Sequence, residues 1–182
     1  MILKNNHLKM LFTSAIGAAL TAVLAQLTIP FPIVPSTAQP LAIGLLGTVL
    51  GKKYGFIAAG LYVLMGAIGI PVFAGMNGGI GVIFGQTGGY ILTFPIAAFL
   101  IGYYIEKIGD QPVHVMTANL IGTALILIIG TIRMRFVIEV SWAAAFGFGI
   151  APFIITQPIQ AIVAALIGRK INHQLKAAGL MN

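Results

Sequence analysis

The chain has no cysteine and very little charge. Disulfides, thiol catalysis and thiolate metal sites are therefore excluded. Ten Lys and Arg and three Asp and Glu amount to 7% of 182 residues. A soluble domain carries roughly 25%. The only acids are Glu106, Asp110 and Glu139, and the only histidines are His7, His114 and His173. No two of these six sit at metal-ligand spacing, and no base stands beside a Ser or Thr. Catalysis needs titratable or metal-binding groups held together, so the chain does not read as an enzyme, and no cofactor is predicted. There is no GxxxxGK[ST] phosphate loop. The run Gly79 to Gly85 has the wrong glycine spacing for a dinucleotide site, and no strand precedes it. Ion-coupled pumps keep a carboxylate or charged pair within the bilayer. Lacking one, this chain reads as a passive binder that takes its energy from another protein.

What the chain has is apolar surface: 59% of residues are hydrophobic. Thirteen charges cannot make a water-facing surface on this length. The expected class is an all-α integral membrane protein forming one domain over residues 1–182. The net charge is +7, which in a soluble protein would suggest nucleic acid. Here it reads as topology, with cationic loops on the cytoplasmic side and no nucleic-acid partner. Lys4, His7 and Lys9 precede an apolar run ending AVLAQ, which resembles a secretory signal. But Met10 to Ile29 is 20 uncharged residues, enough to span a ~30 Å hydrocarbon core. A retained first helix, Met10 to about Leu27, is predicted. It carries small residues at spacing four, Ala15 with Ala19 and Ala18 with Ala22. Such pairs let helices approach closely in lipid, either within the bundle or against a partner subunit.

Thr28 to Pro40 reads TIPFPIVPSTAQP, and its four prolines forbid a regular helix. Leu41 to Leu50 is a short second helix ending at Gly51, with a tight cytoplasmic turn at Lys52 and Lys53. From Tyr54 to Ile105 there are 52 residues without a charge or histidine. As one helix they would run ~78 Å, too long for one crossing. Pro71 and eight glycines between Gly69 and Tyr90 break the run. Helix three is therefore Tyr54 to about Ile70, and helix four Gly88 to about Ile105. Helix five is Val113 to about Ile132, followed by a short charged loop with Arg133, Arg135 and Glu139. Helix six begins between Trp142 and Pro152, ends near Gly168, and is followed by a basic tail. Six crossings put both termini on one side. Lys4, Lys9, Lys52, Lys53, Lys107, Arg169, Lys170 and Lys176 then share the cytoplasmic face, opposite Arg133 and Arg135.

The proline-rich, glycine-rich and Arg133 loops converge on the outer face in this topology. Irregular backbone at membrane depth is tolerated where it lines a cavity. Asn77, Gln86, Thr87 and Tyr90 cluster on the glycine-rich stretch, and Thr37, Gln39 and Gln157 can join them. Apolar walls with a few neutral polar groups suit a small, partly apolar ligand. An outward-facing ligand cavity is the expectation.

The segment GIPVFAGMNGGIGVIFGQTGGYILTFPIAAFLIGYYIE, Gly69 to Glu106, resembles the LPVFAGGxGGxGxLxGPTGGYLxGFxxAAFLIG pattern of the BioY family. VPSTAQPLAIGLLG, from Val34, is similar to the family's VPITLQTLAVLLAG. Pro152–Phe153 and the AxxAALxGR ending, up to Arg169, resemble its last helix. This family comprises the biotin-specific S components of energy-coupling-factor (ECF) vitamin transporters. The resemblance implies six helices, an outward-facing biotin pocket, and docking in the cell membrane onto a transmembrane coupling protein driven by two ABC-type ATPase subunits. It places Ala15, Ala18, Ala19 and Ala22 where the family docks, Asn77 on the ligand, and Gln86 to Tyr90 along the pocket. There are departures. Ile91 stands where some members carry an arginine, and ITQPIQ replaces PGDLxK, putting Gln157 at an aspartate and Gln160 at a lysine position. Another small carboxylic acid, lipoate-like, is thus an alternative ligand, and a membrane-embedded enzyme a third reading. Arg133 or Arg135 is a candidate partner for the ligand carboxylate. The competing expectation for both is snorkelling at the interface or pairing with Glu139.

Overall fold

The computed structural model describes residues 6–179, with side chains from His7. Lys4 lies outside the described residues. The protein is helical. Helix α1 is Asn6–Leu24, α2 Gln39–Ala67, α3 Ile80–Phe84, α4 Gly88–Ile108, α5 Pro112–Ile138, α6 Trp142–Gly149 and α7 Thr156–Ala177. Among the described residues, four helices are long and apolar enough to cross a membrane: α1, α2, α4 and α5. The pair α6–α7, bent by 43°, makes a fifth if it is one span.

Helix α2 is not a straight rod. Its chain reverses at Gly51, whose φ of 73° and ψ of −177° are non-helical. Only glycine adopts that conformation without strain. Gln39 and Tyr62 would lie roughly 34 Å apart along one straight helix, yet their side chains meet at 2.6 Å. The segment is therefore a hairpin of two arms, 39–50 and 52–67, as expected of a short helix, a lysine turn and a second helix. Its turn is held by Glu106. Glu106 accepts from the Lys52 backbone N–H at 2.9 Å, and its other oxygen pairs with Lys52 Nζ at 2.9 Å.

The hairpin is the centre of the molecule. Helix α4 packs against α2 and α5, α7 covers α2 and α5, and α1 lies against α2. Helix α1 is the most peripheral: 17% of its apolar window is buried, against 56% for α4. Asn119 is fully buried, and its Nδ2 donates to Thr48 Oγ1 at 2.9 Å, tying α5 to the first arm.

Three boundaries depart from the sequence expectation. Helix α5 continues past Ile132 to Ile138, so Arg133 and Arg135 are helical rather than in a loop. Nothing between Ile132 and Ile138 is a helix breaker, and the helix stops only at Glu139, which is left-handed at φ 53°. The last helix is broken rather than single, with Ala151–Phe153 forming a 3-10 turn around Pro152. Helix α7 then runs through Gly168 and the basic tail to Ala177, because Gly168 packs closely on Thr48 rather than ending the helix.

Candidate functional site

At the end of the bundle away from the Lys52–Glu106 pair lies a cavity of about 430 Å³. Its walls come from the proline-rich stretch, the glycine-rich loop and the starts of α2, α4 and α7. Thr37, Gln39, Asn77, Gln86, Thr87, Tyr90 and Gln157 all line it, with Phe73, Ile91, Phe94 and Phe153 as apolar wall. Seven of the nine binding residues read from the sequence thus meet at one place.

Local structure explains why. The proline-rich stretch has too few N–H groups to make its own helix, so it closes on itself by a short antiparallel pair, strands β1 (Thr28–Ile29) and β2 (Ser36–Thr37). Its remaining carbonyls take side-chain amides: Gln86 Nε2 donates to Ile33 O at 2.6 Å, and Gln160 Nε2 to Thr37 O at 3.1 Å. Away from water, such partners are obligatory. The glycine-rich loop is braced from the turn after α1: Gln26 Oε1 accepts from Met76 N at 2.9 Å, and its Nε2 donates to Phe73 O at 3.2 Å.

Within the wall, Thr37 Oγ1 donates to Gln39 Oε1 at 2.8 Å, Gln39 Nε2 to Tyr62 Oη at 2.6 Å, and Tyr62 Oη to Val72 O at 3.0 Å. This relay ties the start of the first arm to the second arm and to the glycine-rich loop. Tyr62 also meets the Phe73 ring edge-on at 5.6 Å between centroids. Tyr90 presents its ring to the cavity, while its hydroxyl bonds Thr131 Oγ1 at 3.0 Å and Gly149 O at 3.2 Å. Gly130 makes room for that ring, since a Cβ there would overlap it. Gln157 is 4% exposed, and its Oε1 is buried without a hydrogen-bond partner.

Arg133 and Arg135 are not among the lining residues. Arg133 Nη1 donates to Gly85 O at 3.0 Å, holding the loop from outside the cavity. The Arg135 guanidinium lies 4.4 Å from the centroid of the Trp142 ring and 4.9 Å from that of Phe136. Glu139 and His114 do not line the cavity either. The four alanines of α1 divide. Ala15 and Ala19 are exposed, whereas Ala18 is fully buried in the core and Ala22 packs against it. Residues four apart share a helix face, and the two pairs fall on different faces. Ala18 is therefore an internal packing residue in this bundle.

A second cavity, of about 640 Å³, lies at the opposite end and is lined by Glu106, Asp110, Arg169, His173 and Lys176 among others. Its polar groups are largely engaged with one another: His173 Nε2 meets Asp110 Oδ2 at 2.8 Å, Arg169 Nε donates to Asp110 O at 2.6 Å, and Asn172 Nδ2 to Val49 O at 2.9 Å.

Sequence reading missed Tyr62, Gln26 and Asn119. Tyr62 sat unremarked in an apolar run. Gln26 closed a stretch that looked like a signal. Asn119 was the one amide inside helix five, and a lone intramembrane amide was signal enough to single it out.

Comparison with known proteins agrees with this architecture. A family model, the BioY family, matches residues 3–177. The biotin transporter BioY2 of Lactococcus lactis is 40% identical over 178 residues, 96% of this chain and 98% of the relative. A probable biotin transporter BioY of Pyrococcus horikoshii is 41% identical over 158 residues, 86% and 92% of the two chains. The crystal structure of the S-component for biotin from an ECF-type ABC transporter superposes with a TM-score of 0.87, at 28% identity over 95% of both chains. With its hairpin of helices and neutral cavity, the chain belongs to the BioY family.

Proposed function

We propose that this protein is the substrate-binding membrane subunit of a biotin uptake system. It captures biotin in the neutral cavity at the outer face and delivers it inward when docked to an ATP-driven ECF module. The observation that carries the reading is the match over 95% of both chains to a biotin S-component, together with seven neutral side chains converging on one cavity. In this reading the membrane segments are six: α1, the two arms of α2, α4, α5, and α6–α7 as one broken span. The charges of the second cavity then face the cytoplasm with both termini, in keeping with the positive-inside bias. The coupling protein meets the outer face of α1, where Ala15 and Ala19 sit between exposed Phe12, Ile16 and Val23, and two ATPase subunits supply the energy.

The test has two parts. Purified protein in detergent is titrated with biotin and with lipoate, and cells carrying the protein with and without a coupling module are assayed for biotin uptake. Biotin binding well ahead of lipoate, with uptake only when the module is present, is expected. Preference for lipoate moves the ligand assignment, and uptake by the protein alone overturns the dependence on a partner.

A further inference from the structure

The edge of the neutral cavity is held by a charge that stays outside it. Gly85, Gln86 and Thr87 line the cavity, and Arg133 does not. These three residues join α3, a helix of five residues with Ile80 and Phe84 exposed, to α4. Outside the local turns of the two helices, two hydrogen bonds hold them among the described residues. Arg133 Nη1 donates to Gly85 O at 3.0 Å, and Gln86 Nε2 donates to Ile33 O at 2.6 Å. The first is charge-assisted, and such bonds are roughly twice as strong as neutral ones.

The start of α4 is shaped for this side chain. A Cβ on Gly88 would meet Arg133 Nη1, and a Cβ on Gly89 would meet Arg133 Cβ. The two glycines therefore leave a trough over which the arginine lies. On α5, Gly130 and Arg133 are three residues apart and so are neighbours on one face. Gly130 admits the Tyr90 ring, and Arg133 reaches the carbonyl of Gly85. No acid competes for the guanidinium: among the described residues, the ion pairs are Lys52–Glu106 and His173–Asp110.

These contacts run from a regular element to an irregular one. Arg133 belongs to α5, a helix of 27 residues. Ile33 belongs to the proline-rich stretch, between its two short strands. Without the guanidinium, the Gly85–Thr87 edge loses its tie to α5 and keeps only the tie to that stretch.

We infer that Arg133 is a positioning residue for ligand retention: it fixes the glycine-rich edge of the cavity through Gly85 O without touching the ligand. This rests on the biotin reading above, because biotin is the probe.

The test compares full-length proteins in detergent. Arg133→Met keeps an apolar stem over Gly89 and removes the donor, whereas Arg133→Lys keeps a charged donor. Rates of biotin association and release are measured for each. Arg133→Met is expected to release biotin at least fivefold faster than the unaltered protein, with association not slowed by as much as threefold. Arg133→Lys is expected to release it at least threefold more slowly than Arg133→Met. Acceleration below fivefold overturns the inference. Association slowed threefold or more reports a damaged pocket and overturns it too, as does a lysine that fails to restore retention by threefold. If Arg133→Met does not fold, Arg133→Gln takes its place with the same expectations. If neither folds, Arg133 is a stability residue and the inference is overturned. If the unaltered protein does not bind biotin, the biotin reading has failed first, and the inference falls with it.

Discussion

The two cavities at the ends of the bundle are built oppositely. The larger, about 640 Å³, is lined by acids and bases that pair with one another. The smaller, about 430 Å³, is lined by amides, hydroxyls and rings with no formal charge. Charge at a helix end near water costs little and is worth little, since exposed pairs contribute about 0–1 kcal/mol. Charge inside the bundle would cost several kcal/mol unless paired. The difference teaches where selection by shape and hydrogen bonding is possible. Only the neutral end has walls dry enough for a single amide to matter.

The comparison can be broken most severely by moving charge to the wrong end. Ile91 is 4% exposed and lines the neutral cavity. Ile91→Asp places an unpaired carboxylate there and is expected to weaken biotin binding at least 100-fold, about 3 kcal/mol, read by titration. A loss under tenfold would mean that the wall is wetter than its burial indicates.

Next in size is the relay. Gln39→Leu leaves Thr37 and Tyr62 without their side-chain partner. It is expected to lower stability by about 1–3 kcal/mol, seen as an earlier thermal transition, and to weaken binding by about tenfold, 1.4 kcal/mol. The third change separates structure from recognition. Gly51→Ala forces a Cβ onto φ 73°, where it also meets Glu106 Oε1. A cost of about 1–2 kcal/mol is expected in thermal stability, with ligand affinity unchanged. The smallest effect is at the charged end. Glu106→Gln removes an ion pair whose side chains are 44% and 43% exposed but keeps an acceptor for Lys52 N. A change below about 1 kcal/mol and no change in affinity are expected. An affinity change there would show that the two ends communicate.

Much of this was readable from residues alone. Four prolines and eight glycines in uncharged stretches marked the backbone that cannot be regular helix, and the amides on it marked the wall. The reversal at Gly51 followed from a glycine before two lysines. The two arginines were not legible in the same way. Their place depended on whether α5 stopped at Ile132, and apolar residues on both sides gave no stop signal. Ala18 and Ala15 are equivalent in composition and differ only in helix phase, which fixes a face only once the neighbour is known. Gln26 and Tyr62 work over separations of 50 and 10 residues, contacts that no local pattern encodes.

The hairpin at Gly51 also bears on biogenesis. Its first arm, residues 39–50, rises only ~18 Å, and its second, 52–67, ~24 Å. Neither matches the ~20 residues that insert as an independent span. The two arms are therefore expected to enter lipid together, as a unit closed by its own tight turn.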